Sequence, residues 1–346
     1  MKSSSQIAKS FVICMLLCML LSACGANSSV ETASSSVQAA TGSGQASSST
    51  ASETRVFRDY QGHEVTIPTH PKRIIVNQFM GHLLALGVKP VGATSNQLSQ
   101  FEKSSFLKPL GLTPGIEDLG TTLSLEKALS MEPDLIILQE NANEETQNYA
   151  AFSKIAPTVI LKYGSKTMLD QLKEVADVAG QPQKAEQWIA QYENKVMQYR
   201  EQLAGVIGSN VTFTVMEAWP KSEIMIFGNL FGRGTYSLYN SLQLKAPPKV
   251  QEAIMDKEPS YVKVSLEALP EYMGDYVFLS VYDWQNGDNS KLENELKNAP
   301  VWRSLSVVKE NRVIPVSVDD FLPGDPLSIE KQMEKQVQLL LEHYKK

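Results

Sequence analysis

The stretch of this chain richest in ligand-binding side chains is residues 227–235, which follow an apolar run and hold two aromatic residues, three glycines and an arginine. Phe231 offers an apolar face, and Arg233 offers a planar fork of donors suited to oxygen acceptors. The glycines allow the backbone to approach a ligand closely. Because open α/β sheets bind ligands in the loops that follow strands, this segment is a candidate binding loop. A glycine-rich turn with an exposed arginine is the alternative.

Other candidates also follow apolar runs that we predict to be strands. Trp219 is either a ligand platform or an aromatic residue that packs on the sheet. The remaining candidate ligand contacts are Asn77, Lys162, Tyr163, Tyr282, Trp284 and Phe321. The same loops mix both signs of charge, which favours a neutral or modestly charged ligand; the charged residues are Lys162, Lys221, Arg233, Glu140, Glu217, Asp283 and Asp320.

Sequence motifs for catalysis are absent. The chain has no Gly-x-Ser-x-Gly elbow, no P-loop, no Gly-x-Gly-x-x-Gly after a strand and no His-Glu-x-x-His. Its 4 histidines are scattered singly, and only His82 lies beside a predicted strand-end loop, where a solitary histidine is more often structural. The sequence therefore predicts a binding protein without a cofactor and without protein ligands to a metal, rather than an enzyme.

The elements that position these loops follow from the pattern of apolar residues. Residues 56–68 read as two short strands around a glycine turn, and residues 73–76 as a buried strand. A helix is predicted from Met80 to Leu86, and residues 91–94 repeat the strand-then-loop pattern. Strands that alternate with helices indicate a parallel sheet covered on both faces.

An internal echo indicates two lobes of like architecture. Leu-Ser-Leu-Glu at 123–126 and Val-Ser-Leu-Glu at 264–267 are each followed, at Asp134 and Asp275, by an apolar run. In each copy we predict that the serine caps a helix with the glutamate in its first turn. Two helix–strand units of this kind suggest a duplicated α/β lobe.

A long helix is predicted between the echoes, over residues 182–206, because apolar residues recur there at spacings of three and four. A rod of about 37 Å suits a strut that joins two lobes. A second amphipathic helix is predicted from Ser328, as cap, to Tyr344. The predicted domains are an N-terminal lobe at 55–180, an inter-lobe helix at 181–207 and a C-terminal lobe at 208–346.

The N-terminus reads as a targeting segment. Lys2 and Lys9 precede an apolar run at residues 11–21, which is too short to span a bilayer. Leu21-Ser22-Ala23-Cys24 resembles the bacterial lipobox, which predicts a signal peptide at 1–23 and a lipidated Cys24; an ordinary signal peptide is the alternative. Because the other cysteines lie inside the apolar run, no disulfide is expected in the mature chain. Residues 24–54, rich in serine and alanine, are predicted to be a flexible tether.

Bulk composition is consistent with a two-lobed globular body. The 346 residues carry a formal charge of −6 and a sequence pI of about 5.4. An acidic chain does not favour nucleic acid as a partner, because phosphate binding requires a basic face.

Several short motifs resemble, in their order and spacing, those of the iron-siderophore substrate-binding proteins of ABC importers. They are Pro71-Lys72-Arg73-Ile74-Ile75-Val76, Glu132-Pro133-Asp134-Leu135-Ile136-Ile137, Ile155-Ala156-Pro157-Thr158-Val159, Phe231-Gly232-Arg233-Gly234-Thr235, Val301-Trp302-Arg303-Ser304-Leu305 and Lys309-Glu310-Asn311-Arg312-Val313. The resemblance covers the chain from residue 55 to its end. It implies an α/β fold with two Rossmann-like lobes joined by a single long α-helix, the class III solute-binding arrangement.

The resemblance also implies a function. The ligand would be a ferric siderophore, with hydroxamate or citrate–hydroxamate types favoured, held in a shallow cleft by Phe231 and Arg233. Phe231 stands where the family commonly has tryptophan, and Phe321 is the aromatic residue left in a second ligand loop. Glu126 and Glu267 match the acidic residues that dock such proteins on a permease, although helix N-terminal electrostatics would also explain them.

The resemblance also implies where in the cell the protein acts, and it leaves two alternative functions open. We expect a monomer anchored by lipid on the extracytoplasmic face of the cell membrane, on a Gram-positive surface. A haem or corrinoid receptor of the same fold is one alternative, and a surface lipoprotein hydrolase is another from a different class. The individual siderophore, the permease and the extent of lobe closure do not follow from the sequence.

Overall fold

The computed structural model describes residues 53–140, 147–285 and 287–344. The predicted signal peptide, Cys24 and almost all of the tether lie outside the described residues. The strands are β1 Thr54–Arg58, β2 Glu64–Pro68, β3 Ile74–Val76, β4 Gly92–Ala93, β5 Glu117–Asp118, β6 Leu135–Gln139, β7 Thr158–Leu161, β8 Phe213–Trp219, β9 Glu223–Phe227, β10 Tyr261–Val264, β11 Tyr276–Val281 and β12 Val313–Pro315.

Most of the α-helices contain only a few turns. They are α1 Met80–Ala85, α2 Ser95–Lys103, α3 Leu125–Ser130, α4 Tyr149–Phe152, α5 Met168–Val178, α6 Pro182–Ala204, α7 Pro248–Ala253, α8 Asn289–Asn298, α9 Pro300–Ser304, α10 Ser306–Lys309, α11 Val318–Phe321 and α12 Pro326–Tyr344. Turns of 3₁₀-helix lie at Lys108–Leu110, Pro220–Ser222 and Leu269–Tyr272, and a π-helix at Tyr236–Ser241. Within the part of the chain that the structure describes, no helix is long and apolar enough to cross a membrane.

The first lobe is built on a five-stranded sheet in the order β5-β4-β3-β6-β7, and all of its strand pairs are parallel. Successive side chains of a strand point to opposite faces. Ile74 and Val76 therefore enter one apolar cluster, which includes residues of α1, α5 and α6, while Ile75 enters another with residues of α3 and α4. The parallel sheet covered on both faces is confirmed for this lobe, as is the hairpin of β1 and β2.

The second lobe departs from the expected parallel sheet. Its strand order is β10-β9-β8-β11-β12, in which β8, β11 and β12 are parallel while β9 pairs antiparallel with both β8 and β10. Only the three residues Pro220–Ser222 separate β8 from β9. A parallel pair needs a crossover of a dozen or more residues, so this short turn makes β9 antiparallel to β8.

The echo recurs in the structure in part. The Asp134 carboxylate accepts hydrogen bonds from the backbone N–H groups of Lys72 and Arg73, which lead into β3. The Asp275 carboxylate accepts from the N–H of Thr212, which leads into β8. In each lobe the aspartate before one central strand thus fixes the start of its parallel neighbour.

The prediction of an α-helix in the second copy of the echo is wrong. Ser124 accepts a hydrogen bond from the N–H of Lys127 and begins α3 as predicted. After Ser265, however, the chain forms a turn and then the 3₁₀-helix Leu269–Tyr272. Pro270 would fall inside an α-helix begun at Ser265, where proline removes a hydrogen bond and clashes with the preceding turn.

Helix α6 joins the lobes through both of their cores. Its 23 residues end at Ala204, two positions before the predicted end. Near its N-terminus Ala185 and Ile189 pack into the first lobe's apolar cluster, and further along Tyr192 and Val196 pack into the second lobe's. Burial at both ends makes the helix a fixed strut, as the predicted fold requires.

A second link between the lobes is the bridge segment, residues 318–325, which leads into α12. The Asp320 carboxylate accepts hydrogen bonds from the Ser104 hydroxyl and from the N–H and hydroxyl of Ser105, at 2.7–2.9 Å. Helix α12 begins earlier than predicted, because Asp325 rather than Ser328 accepts from the N–H groups of the first turn. The bridge segment thus holds the second lobe against α2 of the first.

Candidate functional site

An aromatic pocket opens on the second lobe over one face of the antiparallel strands β8, β9 and β10. Its volume is about 410 Å³, and it is lined by Trp219, Met225, Phe227, Phe231, Arg233, Tyr261 and Lys263. Phe227 and Tyr261 are partners across the antiparallel pair of β9 and β10. Phe231 stacks on Phe227 with ring centroids 5.5 Å apart and meets Tyr261 edge-on at 5.4 Å. The pocket therefore presents mainly ring faces and edges.

Arg233 lies at the floor of this pocket in a buried ion pair. Its Nε donates to Glu217 Oε2 at 2.9 Å and its Nη2 to Glu217 Oε1 at 3.0 Å, while Nη1 donates to the Leu322 carbonyl at 3.3 Å. The side chain of Arg233 is 9% exposed and that of Glu217 is fully buried. The guanidinium carbon lies 5.2 Å from the Phe227 ring centroid and 5.7 Å from that of Phe231. The arginine charge is thus neutralised within the protein and flanked by rings.

Glu217 also orients Trp219, the other side chain predicted from this region. The indole Nε1–H donates to Glu217 Oε1 at 2.7 Å, and the Ser280 hydroxyl donates to Oε2 at 2.9 Å. A buried carboxylate requires such donors, because desolvation without them is very costly. One carboxylate at the end of β8 therefore positions both Arg233 and Trp219.

The glycines around Arg233 serve chain packing. Arg233 and Gly234 both have positive φ, 70° and 76°. A Cβ added at Gly232 would lie 2.6 Å from the Leu322 carbonyl oxygen, and one at Gly234 would lie 2.7 Å from a Phe321 ring carbon. At Gly232 and Gly234 the backbone closely approaches the bridge segment, whereas the sequence predicts that it approaches a ligand. This packing fixes the loop that carries Phe231 and Arg233.

A second pocket of about 270 Å³ lies between the lobes and shares Phe231 and Tyr261 with the aromatic pocket. Its first-lobe wall is Lys162, Tyr163 and Gly164, which follow β7, and its second-lobe wall includes Leu230 and residues 258–261. We call this the interlobe pocket, and the two pockets together the cleft. Because they share two aromatic residues, the two pockets lie next to each other.

Lys162 lines the interlobe pocket. Its Nζ lies 3.7 Å from a carboxylate oxygen of Glu258 and 5.2 Å from the ring centroid of Tyr60. The Tyr60 hydroxyl first, and the Glu258 and Glu140 carboxylates after it, raise the pKa of Lys162 above its ordinary value. The lysine stays charged and carries its own counter-charges.

Two other predicted contacts lie deeper. Tyr163 lines the interlobe pocket, but its hydroxyl donates to the Gly324 carbonyl at 3.1 Å, and burial raises its pKa. Asn77 is 7% exposed, and its side-chain oxygen accepts from the N–H of Gln139, which joins the ends of β3 and β6. Asn77 therefore holds the sheet together and does not line the cleft.

Three predicted aromatic contacts are not brought into the cleft. Phe321 is 2% exposed and packs edge-on against Phe106 across the lobes, which gives it a structural place in the bridge segment. Tyr282 is half-buried after β11, and Trp284 is 54% exposed; neither lines either pocket of the cleft. Tyr282 and Trp284 follow β11, and Phe321 follows β12. A position after a strand of the same sheet does not by itself bring a side chain to Phe231.

Residues that sequence reasoning missed include Tyr60, Met225, Tyr261 and Lys263. Tyr261 and Lys263 alternate along β10 and so share a face, a period-two signal that was readable in the sequence. The sequence presents Glu217 only as a charge in a candidate loop, and nothing in its local sequence indicates that it pairs with Arg233.

The two acidic residues of the echo are both on the surface. Glu126 is exposed in the first turn of α3. Glu267 is exposed in the turn before Leu269–Tyr272, and a hydrogen bond with the Ser265 side chain lowers its pKa. Among the described residues no group of three or more His, Cys, Asp or Glu side chains is arranged to hold a metal ion.

Comparison with known proteins identifies the family of this chain and similar members of it. Residues 83–317 match the family described as periplasmic binding protein. The chain is 34% identical over 321 residues to the iron(3+)-hydroxamate-binding protein YxeB of Bacillus subtilis (strain 168), which covers 92% of each chain. It is also 34% identical over 322 residues to the iron(3+)-hydroxamate-binding protein FhuD of the same organism, covering 92% of this chain and 93% of that one.

A solved structure has the same fold. It is a FhuD fold-family periplasmic binding protein component of a Fep/Fec-like ferrichrome ABC transporter from Bacillus subtilis. The TM-score is 0.70 at 33% sequence identity, over 82% of this chain and 99% of that one.

Proposed function

This chain belongs to the periplasmic binding protein family, and from that premise we propose that it captures a ferric siderophore, of the hydroxamate or citrate–hydroxamate type, for an ABC importer. Members of this family and the relatives named above bind solutes and are not enzymes, so the hydrolase alternative is set aside. The observation that carries the proposal is the cleft, in which Phe231 and Tyr261 line two adjacent pockets. Ring faces suit the organic shell of a chelated ion, and no step of chemistry is required.

Phe231→Ala is expected to weaken binding of a ferric trihydroxamate about tenfold, because Phe231 borders both pockets and stacks on Phe227. Intrinsic tryptophan fluorescence titrations of the purified protein measure this, since Trp219 lines the aromatic pocket. Trp284→Ala is the matched control: it removes an exposed aromatic residue outside both pockets and should leave the affinity unchanged. A folded protein that responds to no ferric siderophore would contradict the proposal, and haem and a corrinoid would then be titrated.

Docking on the permease is proposed for Glu126 and Glu267. Both side chains are exposed, one on each lobe, at matching points of the sequence echo. We expect Glu126→Ala and Glu267→Ala each to reduce siderophore uptake by cells severalfold, because each removes a charge available to a permease arginine. The affinity of the purified variants for the siderophore should be unchanged. Full uptake by the double variant would contradict this role.

The anchor is proposed at Cys24, supported by the lipobox-like residues before it and by a relative, 27% identical, that is named a probable siderophore-binding lipoprotein. Anchored in this way, the protein would act as a monomer on the extracytoplasmic face of the membrane. Tethering raises its local concentration near the importer. Mass spectrometry of the mature N-terminus tests for a lipid on Cys24, and an unmodified cysteine there would contradict the anchor.

A further inference from the structure

The charges around the cleft are cancelled in pairs. Its three cationic side chains each have a carboxylate within 4.0 Å: Arg233–Glu217 at 2.9 Å, Lys263–Glu223 at 3.0 Å and Lys162–Glu258 at 3.7 Å. Glu140 also acts on Lys162. Each of the three cations is therefore matched by a carboxylate, and the lining offers an incoming ligand no excess of positive charge.

Most of the donors of Arg233 are already engaged within the protein. Three of its five N–H donors are engaged, two by Glu217 and one by Leu322. An anion that approached the guanidinium would also approach the Glu217 carboxylate behind it, at separations where like charges repel appreciably in a partly buried site. The two phenylalanine rings beside the guanidinium further limit access to it.

From this pairing we propose that the cleft selects its ligand by charge, accepting ferric complexes of zero or positive net charge and discriminating against anionic ones. The inference rests on the proposed function and narrows it. A trihydroxamate neutralises its ferric ion and leaves a neutral shell, which the rings of Phe231, Tyr261 and Trp219 can cover. Citrate-bearing and catecholate complexes retain negative charge, for which the cleft has no unpaired cation.

The test uses three ferric complexes with the same iron-binding shell. A linear trihydroxamate with a free terminal amine is positive, its N-acetyl derivative is neutral and its N-succinyl derivative is negative. We expect the first two to bind within about threefold of each other and the third about tenfold more weakly. Equal or tighter binding of the succinyl derivative would overturn the charge selection, whereas binding of none of the three would overturn the proposed function itself.

Variants then locate the source of the selection. Glu258→Gln and Glu223→Gln each free a lysine at the cleft, and their carboxylates are exposed enough that folding should be preserved. We expect each to bring the affinity for the succinyl derivative closer to that for the acetyl derivative. Glu293→Gln, which removes the carboxylate paired with Lys297 on α8, is the matched control and should leave the ratio unchanged. A ratio unchanged in both cleft variants would overturn the assignment to these pairs.

Glu217→Gln provides the strongest version of the same test. It removes the carboxylate behind Arg233 while keeping an amide that can still accept from Trp219. We expect the preference to reverse, with the succinyl derivative bound more tightly than the acetyl derivative. A uniform loss of affinity for all three complexes would instead indicate that Glu217 only holds the structure. If this variant does not fold, the two exposed glutamate variants still decide the question.

Discussion

Glu217→Leu is expected to lower the free energy of unfolding by about 3–5 kcal/mol, because it leaves the buried Arg233 guanidinium without its counter-charge. The fully buried carboxylate accepts four hydrogen bonds, two from Arg233 and one each from Trp219 and Ser280. Removing one partner of a buried ion pair leaves the other charge desolvated and unpaired. The free-energy cost of that unpaired charge is far larger than the net stabilisation that the intact pair provides. Urea unfolding followed by circular dichroism measures the change.

Two further variants separate this cause from loss of packing. Glu217→Leu combined with Arg233→Met removes the stranded charge as well, so it should recover a substantial part of the loss and give a coupling energy of about 2 kcal/mol. Glu223→Gln breaks the exposed pair with Lys263 on the neighbouring strands and should change stability by less than about 1 kcal/mol. A single variant as stable as the unmodified protein would show that Arg233 finds other partners or reaches water.

The second large effect is a loss of stability in acid that depends on His82. This side chain is 1% exposed on α1, lies edge-on to Phe79 and Tyr163, and neither ring nitrogen has a hydrogen-bond partner among the described residues. Burial lowers its pKa from 6.5 to about 3. The folded state therefore binds the proton less readily than the unfolded state does.

The direction of the pH effect follows from that difference. The stability associated with neutral His82 is fully present above about pH 6.5 and is lost as the pH falls from there toward 3, at up to about 1.4 kcal/mol for each pH unit. Between pH 7 and pH 4 we expect this group to lower the free energy of unfolding by about 3 kcal/mol. Urea titrations at several pH values measure the slope.

His82→Leu should remove this contribution, so the variant gains stability relative to the unmodified protein as the pH falls. At pH 7 it should be at least as stable, because leucine places no unpaired polar atom in the apolar contact. His70→Leu, at an exposed position, is the control and should leave the pH profile unchanged. Parallel pH profiles for the His82 variant and the unmodified protein would contradict the account.

Much of the scaffold was determined by the sequence alone. Continuous apolar runs predict β3 and β6 as buried strands, and both lie inside the parallel sheet, while the spacing of apolar residues gives α6 to within two residues of its end. Trp219, Phe231 and Arg233 were predicted from the segments after two strands, and they line one pocket. Such signals are local, so a single sequence carries them.

The tertiary structure alone decided what those residues do. The sequence predicts Arg233 as a free donor, but in the structure Glu217, sixteen positions away in sequence, neutralises it. The sequence predicts that Gly232 and Gly234 face a ligand, but in the structure the bridge segment fills the space beside them. Phe321 reads as a contact but lies buried between the lobes, while Lys162 takes its partner Glu258 from the other lobe. Each of these outcomes depends on which distant segments pack together, and burial then determines whether a charge must be paired or a ring can reach the ligand.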